Sequence, residues 1–280
     1  AVHCCDTPAH QTAAGSSVTH WQESDLLANR RLTEVLINQA VMDKNWFLLS
    51  KLLPLYQRIQ GHDPILLGYA QGAWYRQQGR HGDAIAAYRR ILAQQPPLSY
   101  VRLDLAGMLF EDKQYQAAKQ ELERVQTEDI VPAAHALAEY YLHKISQMTA
   151  WQMRAGVQYE RNDNLNNASA EPTLTINGYV WVKDADSLPK EGHGLRYDLG
   201  VERDVNLSGN HFVYMSANVG GVAYVKQPDF NEQTWRAEVG YKWQNIQQWY
   251  ALTPFAEVSR LGGRADAFHQ GVRAEYGRWL

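Results

Sequence analysis

The stretch TWRAEVGYKWQ, residues 234–244, alternates apolar and polar side chains at every second position. One face carries Trp235, Ala237, Val239, Tyr241 and Trp243. The other carries Thr234, Arg236, Glu238, Gly240, Lys242 and Gln244. A period of two predicts a β-strand. The apolar stripe has aromatic residues at both ends and small residues between them, which is typical of a strand that crosses a bilayer, because Trp and Tyr favour the membrane interface.

The same alternation recurs through the second half of the chain. It predicts five further strands, which contain Trp151–Glu160, Leu195–Glu202, Val213–Ala223, Tyr250–Val258 and Val272–Tyr276. Thr173–Val182 is a candidate seventh strand. A sheet in lipid must close on itself, and outer-membrane barrels have an even number of strands from eight upward. The count therefore predicts a partial, truncated outer-membrane β-barrel over residues 151–280, with a soluble β-sandwich as the alternative.

The polar faces of these strands carry charges of both signs. We expect the charged side chains to line a hydrated or charge-paired barrel lumen, because the opposite stripe faces lipid. The candidate lumen residues are Arg154, Arg196, Asp198, Glu202, Arg236, Glu238, Lys242, Arg273 and Glu275.

The first half of the chain has helical spacing and a period of 34 residues, which is the length of a tetratricopeptide repeat. The clearest repeat carries Gly72, Tyr75, Gly79, Ala84, Tyr88 and Pro96 at the motif positions. In it, Gly79 opens the turn between two antiparallel helices. A further helix, Pro132 to Met148, caps the array. The sequence thus predicts an α+β multidomain chain: a tetratricopeptide-like helical repeat domain over 24–148, followed by antiparallel barrel strands.

Such arrays present a concave groove lined by the first helix of each repeat. The groove residues predicted here are Tyr69, Ala73, Arg76, Tyr100, Leu103 and Phe110. Each aromatic taken alone is equally well explained by ordinary packing. As a group on one face, they favour a surface that binds a peptide or protein client.

Composition excludes several classes of function. Lys and Arg number 27 against 30 Asp and Glu, so there is no basic field for binding nucleic acid. No phosphate loop, nucleophile elbow or zinc-protease motif occurs, so we predict no enzyme activity and no cofactor. Residues 1–23 are predicted to be a flexible leader. The cluster of His3, Cys4, Cys5 and His10 could bind a soft metal, but a disordered tail is the preferred interpretation.

A series of short motifs follows the repeat module in a fixed order. They are Gly156–Tyr159, Asn162–Ser169, Gly209–Phe212, Glu232–Thr234, Leu252–Phe255, Leu261–Gly263 and Glu275–Leu280. With these motifs the chain resembles the surface lipoprotein assembly modulator (Slam) family of Gram-negative outer membranes. The resemblance covers most of the chain from about residue 25.

The resemblance implies a repeat domain in the periplasm joined to an outer-membrane barrel that helps move lipoproteins or related secreted proteins to the cell surface. The implied partners are a protein client and outer-membrane lipid, with periplasmic chaperones and barrel-assembly machinery as further candidates. Two alternatives stay open. Exopolysaccharide exporters also join tetratricopeptide repeats to a barrel, although their arrays are usually longer. A soluble scaffold protein is the other alternative.

Overall fold

The computed structural model describes residues 22–279, with helices in the first half of this range and strands in the second. The helices of the described range are α1 (Glu23–Ala28), α2 (Arg30–Met42), α3 (Trp46–Arg58), α4 (Pro64–Gln77), α5 (His81–Gln94), α6 (Ser99–Glu111), α7 (Tyr115–Thr127) and α8 (Pro132–Met148). The strands are β1 (Gln152–Asn162), β2 (Thr173–Ile176), β3 (Tyr179–Val182), β4 (Gly192–Ser208), β5 (His211–Tyr224), β6 (Glu232–Gln244), β7 (Gln248–Leu261) and β8 (Arg264–Arg278).

Six of the described strands form one antiparallel sheet in the order β1-β4-β5-β6-β7-β8. Within residues 22–279, β1 and β8 each pair on one side only, so this sheet is open. The predicted fold class is confirmed: a tetratricopeptide-like helical array is followed by an open antiparallel sheet of six strands.

The chain divides into two compact units, one ending at Arg80 and the other beginning at His81. The first contains α1–α4, whose core is formed by Ile37, Leu49, Leu52 and Tyr56. Burying each such side chain stabilises the fold by about 1.5–3 kcal/mol. The second unit contains α5–α8 and the described strands. The change from helix to strand falls at residues 149–151, as expected, but its role as a domain boundary stays a prediction.

The 34-residue repeat is visible in the backbone. Gly79 lies in the turn between α4 and α5 with φ +73°, and Lys113 lies in the turn between α6 and α7 with φ +67°. The left-handed conformation is natural for glycine and costly for lysine. The capping helix α8 has the bounds predicted for it.

Arg102 links helices α6 and α7 of the second unit through hydrogen bonds and ion pairs. From α6 its guanidinium donates to Glu121 on α7 at 2.8 Å and to Glu128 just beyond α7 at 2.7 Å. It also donates to the carbonyl oxygen of Pro96 at 2.6 Å. Burial alone would lower the pKa of this guanidinium, but the two glutamates raise it overall. Arg102 is therefore charged and fully engaged in holding α6 on α7.

The prediction of a seventh strand of the sheet over Thr173–Val182 is wrong. This segment forms a separate hairpin of β2 and β3, because Asn177 and Gly178 both have positive φ and reverse the chain. The leader residues 1–21 lie outside the described residues, and with them the candidate metal cluster of His3, Cys4, Cys5 and His10; α1 begins at Glu23.

Within the described range, no helix is both long enough and apolar enough to cross a membrane. Residues 22–279 also hold no group of three or more His, Cys, Asp or Glu side chains suited to bind a metal ion.

Candidate functional site

The six-stranded sheet exposes its apolar face, while several polar side chains of the opposite face are buried. On β6, Val239 is 60% exposed and its neighbour Glu238 is 4% exposed. Met153, Val157, Leu195 and Val272 on other strands of the apolar face are likewise exposed. A water-soluble sheet has the opposite arrangement, since burial of apolar surface drives its folding. The faces predicted from the alternation on β6 are confirmed.

Aromatic side chains gather at one end of the apolar face. Trp243 and Tyr250 stack with ring centroids 5.2 Å apart and an interplanar angle of 12°, and Tyr276 is the next residue in the same cross-strand row. Tyr241 lies beside Tyr250, with centroids 6.5 Å apart. Trp235 marks the other end of the stripe on β6 and is half exposed. This is the aromatic arrangement expected at a membrane interface.

The polar face is built around Glu238. Arg236 on the same strand and Arg273 on β8 each donate to its carboxylate at 2.6 Å. Arg236 also donates to Glu257 on β7 at 3.2 Å, and its guanidinium lies 3.9 Å from the centroid of the Phe255 ring. Three strands are therefore cross-linked by charge-assisted hydrogen bonds, which are stronger than neutral ones.

One row of this face runs across all six strands of the sheet. Strand register aligns Arg154, Gly200, Asn218, Arg236, Glu257 and His269 as successive cross-strand neighbours. Arg154 donates to Asn218 at 3.3 Å, reaching across Gly200. A Cβ atom at Gly200 would collide with Asn218 and crowd Arg154. The missing side chain at this position is what lets the row continue.

The remaining candidate lumen residues find partners on the same face. Lys242 donates to Asp204 at 2.6 Å, and Arg273 lies 3.1 Å from Glu275. Further contacts on the face are Arg196 to Glu160, Tyr214 to Glu202 and Arg154 to Asp198. All nine candidate residues thus share one face by register. That this face lines a lumen stays a prediction.

Several residues of the network were not among the predicted lumen residues. The alternation placed Glu160, Tyr214 and Asn218 on polar strand faces but did not single them out. The others are Asp204, Tyr224, Phe255, Glu257 and His269, and some of them lie outside the predicted strand bounds. Asp204, for example, lies on the part of β4 beyond the strand predicted around 195–202.

The predicted groove residues lie on the expected helices. Tyr69, Ala73 and Arg76 are on α4 in the first unit and are partly exposed. In the second unit, α6 carries Tyr100, which is 59% exposed, and Leu103, which is 8% exposed and belongs to the core. Phe110, also on α6, is partly exposed, and its ring lies 5.7 Å from that of Tyr115 and 5.2 Å from that of Tyr141. The client-binding groove stays a prediction, and Tyr100 is its most accessible member on α6.

Two family models match the chain. The model described as surface lipoprotein assembly modifier, N-terminal TPR repeats, matches residues 19–122. The model described as surface lipoprotein assembly modifier matches residues 151–280. The chain belongs to the surface lipoprotein assembly modifier family. The resemblance noted in the sequence is confirmed.

Curated relatives agree with this assignment. Surface lipoprotein assembly modifier 1 of Haemophilus influenzae is 28% identical over 249 residues, which are 86% of this chain and 50% of that protein. The surface lipoprotein assembly modifier of Pasteurella multocida is 31% identical over 74% of this chain and 39% of its own length. The hemophilin secretion modulator of Acinetobacter baumannii is 25% identical over 85% of this chain and 51% of its own.

The chain spans about half the length of the curated relatives that it matches. Surface lipoprotein assembly modifiers are outer-membrane proteins, and the exposed apolar face of the sheet fits that location.

Proposed function

We propose that this chain assists the assembly of lipoproteins, or of related secreted proteins, on the outer surface of the cell. The helical repeats dock the client on the periplasmic side, and the sheet forms part of the conduit through the outer membrane. The observation that carries the proposal is the sheet itself, whose apolar face is exposed while its opposite face carries a network of paired charges and polar side chains that reaches strands of the whole described sheet. The names of the relatives supply the class of client.

The polar face favours a protein client over a polysaccharide. Its acids Glu238, Glu257 and Asp204 each have a basic partner. A surface of paired charges offers alternating donors and acceptors to a polypeptide with mixed charge. A polysaccharide conduit would favour acidic groups without basic partners and stacked aromatic rings along its wall. The exposed apolar face in turn disfavours a soluble scaffold.

Docking can be tested at Tyr100. Replacing it by Ala should weaken binding of a surface lipoprotein client by about tenfold or more, since Tyr side chains often dominate the binding energy of interfaces. The thermal midpoint should not change, because Tyr100 is exposed. Tyr140→Ala on α8 is the matched control, as Tyr140 is similarly exposed and lies outside the predicted groove. Phe110→Ala should instead lower the thermal midpoint, through its contacts with Tyr115 and Tyr141.

Unchanged affinity in Tyr100→Ala, measured by pull-down or interferometry, would move client recognition away from this part of α6.

The conduit can be tested with a photo-cross-linking amino acid placed at neighbouring positions of β5 in the whole protein. Asn218 belongs to the polar face and Ala217 to the apolar face. During export, a cross-linker at 218 should capture the client and one at 217 should capture lipid. Equal capture of client at both positions, or capture at neither, contradicts a conduit along the polar face.

A further inference from the structure

The turn between α6 and α7 lies against one end of the sheet, which we call the near rim. The near rim consists of the β4–β5 turn at 209–210, the β6–β7 turn at 245–247 and Trp279 after β8. Asp112, only 6% exposed, holds the two turns together. Its carbonyl oxygen accepts from the Asn210 side chain at 2.5 Å, and its carboxylate accepts from the backbone N–H of Ile246 at 3.4 Å.

An aromatic contact and a cation–π contact also join the α6–α7 region to the near rim. Tyr115, at the start of α7, meets Phe212 of β5 edge-on with centroids 5.9 Å apart. Both rings are buried, and burial raises the pKa of Tyr115. Lys113 holds its ammonium 5.9 Å from the centroid of the Trp279 ring.

The N-terminus of α7 depends on the sheet for one hydrogen bond. The first N–H groups of any helix have no partner within the helix and normally receive one from a capping side chain. Gln114, the residue before α7, makes no side-chain cap. The backbone N–H of Gln116 instead donates to Oδ1 of Asn206 on β4 at 2.8 Å. A strand residue thus acts as the cap of a helix that lies 90 positions earlier in the chain.

Asn206 has a second task that can be separated from the first. Its Nδ2 donates to the carbonyl oxygens of Gly209 and His211, at 2.9 and 3.0 Å, and so shapes the β4–β5 turn. The acceptor atom of Asn206 therefore serves the helix, and the donor atom serves the turn. Aspartate keeps the acceptor and removes the donor.

We propose that Asn206 and Asp112 are positioning residues that fix helices α6–α8 rigidly to the near rim, so that these helices form a wall of the conduit entrance instead of a free arm. The linker of residues 149–151 supplies the second attachment, where Arg203 of β4 donates to the carbonyl oxygen of Thr149 at 2.8 Å. The placing of these helices at a conduit entrance rests on the proposed function. Their rigid attachment to the near rim does not depend on it, and the attachment is tested without a client.

The first test is amide hydrogen exchange of the full chain in detergent micelles. The Gln116 amide should be protected in the unaltered chain, although it lies in the first turn of a helix. Asn206→Ala should reduce that protection tenfold or more, Asn206→Asp should retain it, and Asn218→Ala, away from the rim, should leave it unchanged. Fast exchange in the unaltered chain, or equal protection in Asn206→Ala, overturns the capping role. Loss of protection in Asn206→Asp as well would assign the effect to the turn and also overturn it.

The second test measures rigidity by electron paramagnetic resonance. Spin labels at Lys119 on α7 and Arg264 on β8, with Cys4 and Cys5 replaced by Ser, should give one narrow distance distribution. The Asp112→Ala, Asn206→Ala double variant should broaden it, while Asn218→Ala should not. A broad distance distribution in the otherwise unaltered chain shows a free arm and overturns the proposal. This outcome does not depend on whether the repeats bind a client.

Discussion

The Glu238 carboxylate accepts hydrogen bonds from the guanidinium groups of Arg236 and Arg273, each at 2.6 Å, and its side chain is almost completely buried. Removing its charge leaves Arg236 and Arg273 facing a neutral group in an enclosed site, which costs more than the loss of an exposed ion pair. We expect Glu238→Gln to lower the free energy of unfolding by about 1–2 kcal/mol, measured by urea titration in lipid vesicles.

Asp198→Asn is the matched control for this prediction. Asp198 lies on the same face, 3.7 Å from Arg154, but both side chains are well exposed. Exposed ion pairs contribute about 0–1 kcal/mol, so this variant should change the urea midpoint very little. Equal effects of the two substitutions would mean that solvent reaches Glu238 as freely as it reaches Asp198.

Tyr56 makes the first unit sensitive to alkali. Its hydroxyl is fully buried, donates to Glu34 and accepts from the backbone N–H of Asp63. Burial, chiefly, raises its pKa to about 12, against about 10 in an unfolded chain. Between these values the unfolded chain releases a proton that the folded chain keeps. The free energy of unfolding should therefore fall with rising pH by about 1.4 kcal/mol per pH unit from this group.

Chemical unfolding at pH 9 and pH 11 of the unaltered chain and of Tyr56→Phe isolates this contribution, because the other tyrosines cancel in the comparison. The advantage of the unaltered chain should shrink at pH 11. A constant difference at both pH values would contradict the raised pKa.

At the scale of the element, strand β6 has one exposed apolar face and one polar face that carries the Glu238 network. Its exposed apolar stripe has Val239 near the middle, between Trp235 and the Tyr241–Trp243 pair. Val239→Arg should destabilise insertion into vesicles by about 2–4 kcal/mol, since charge on a lipid face is costly near the midplane. Val239→Leu keeps the stripe apolar and should insert normally. Insertion of the arginine variant at the level of the leucine variant would place this face away from lipid.

Sequence alone predicted elements better than connections. The period of two located β6, and the repeat spacing located α8, because each signal lies within one continuous segment. Thr173–Val182 misled because its apolar residues continue across the Asn177–Gly178 turn. Most contacts within the polar network could not be predicted from the sequence, because they depend on strand register. Glu238 and Arg273, for example, are 35 positions apart in the chain. The cap that Asn206 gives α7 was hidden for the same reason.

At the scale of the whole molecule, the helical half should fold without the sheet. Its cores are formed within the helices, for example by Leu105 and Leu122 in the second unit. Residues 22–148 expressed alone should show strong helical circular dichroism and one or two cooperative thermal transitions. The start of α7 should exchange its amides faster than in the full chain, because Asn206 is missing. A weak helical signal would show that the sheet is required for the helices to fold.

The order of strands also has a consequence for how the sheet forms. From β4 to β8 every hydrogen-bonded pair joins strands that follow one another in the chain. Among the described strands of this sheet, the pairing of β1 with β4 alone spans a long connection, residues 163–191. Local pairings need little loop closure, so they give an all-β unit a low contact order and favour fast folding. A chain that folds into a bilayer can therefore add one hairpin after another, and none of the described strands has to be inserted between two that are already paired.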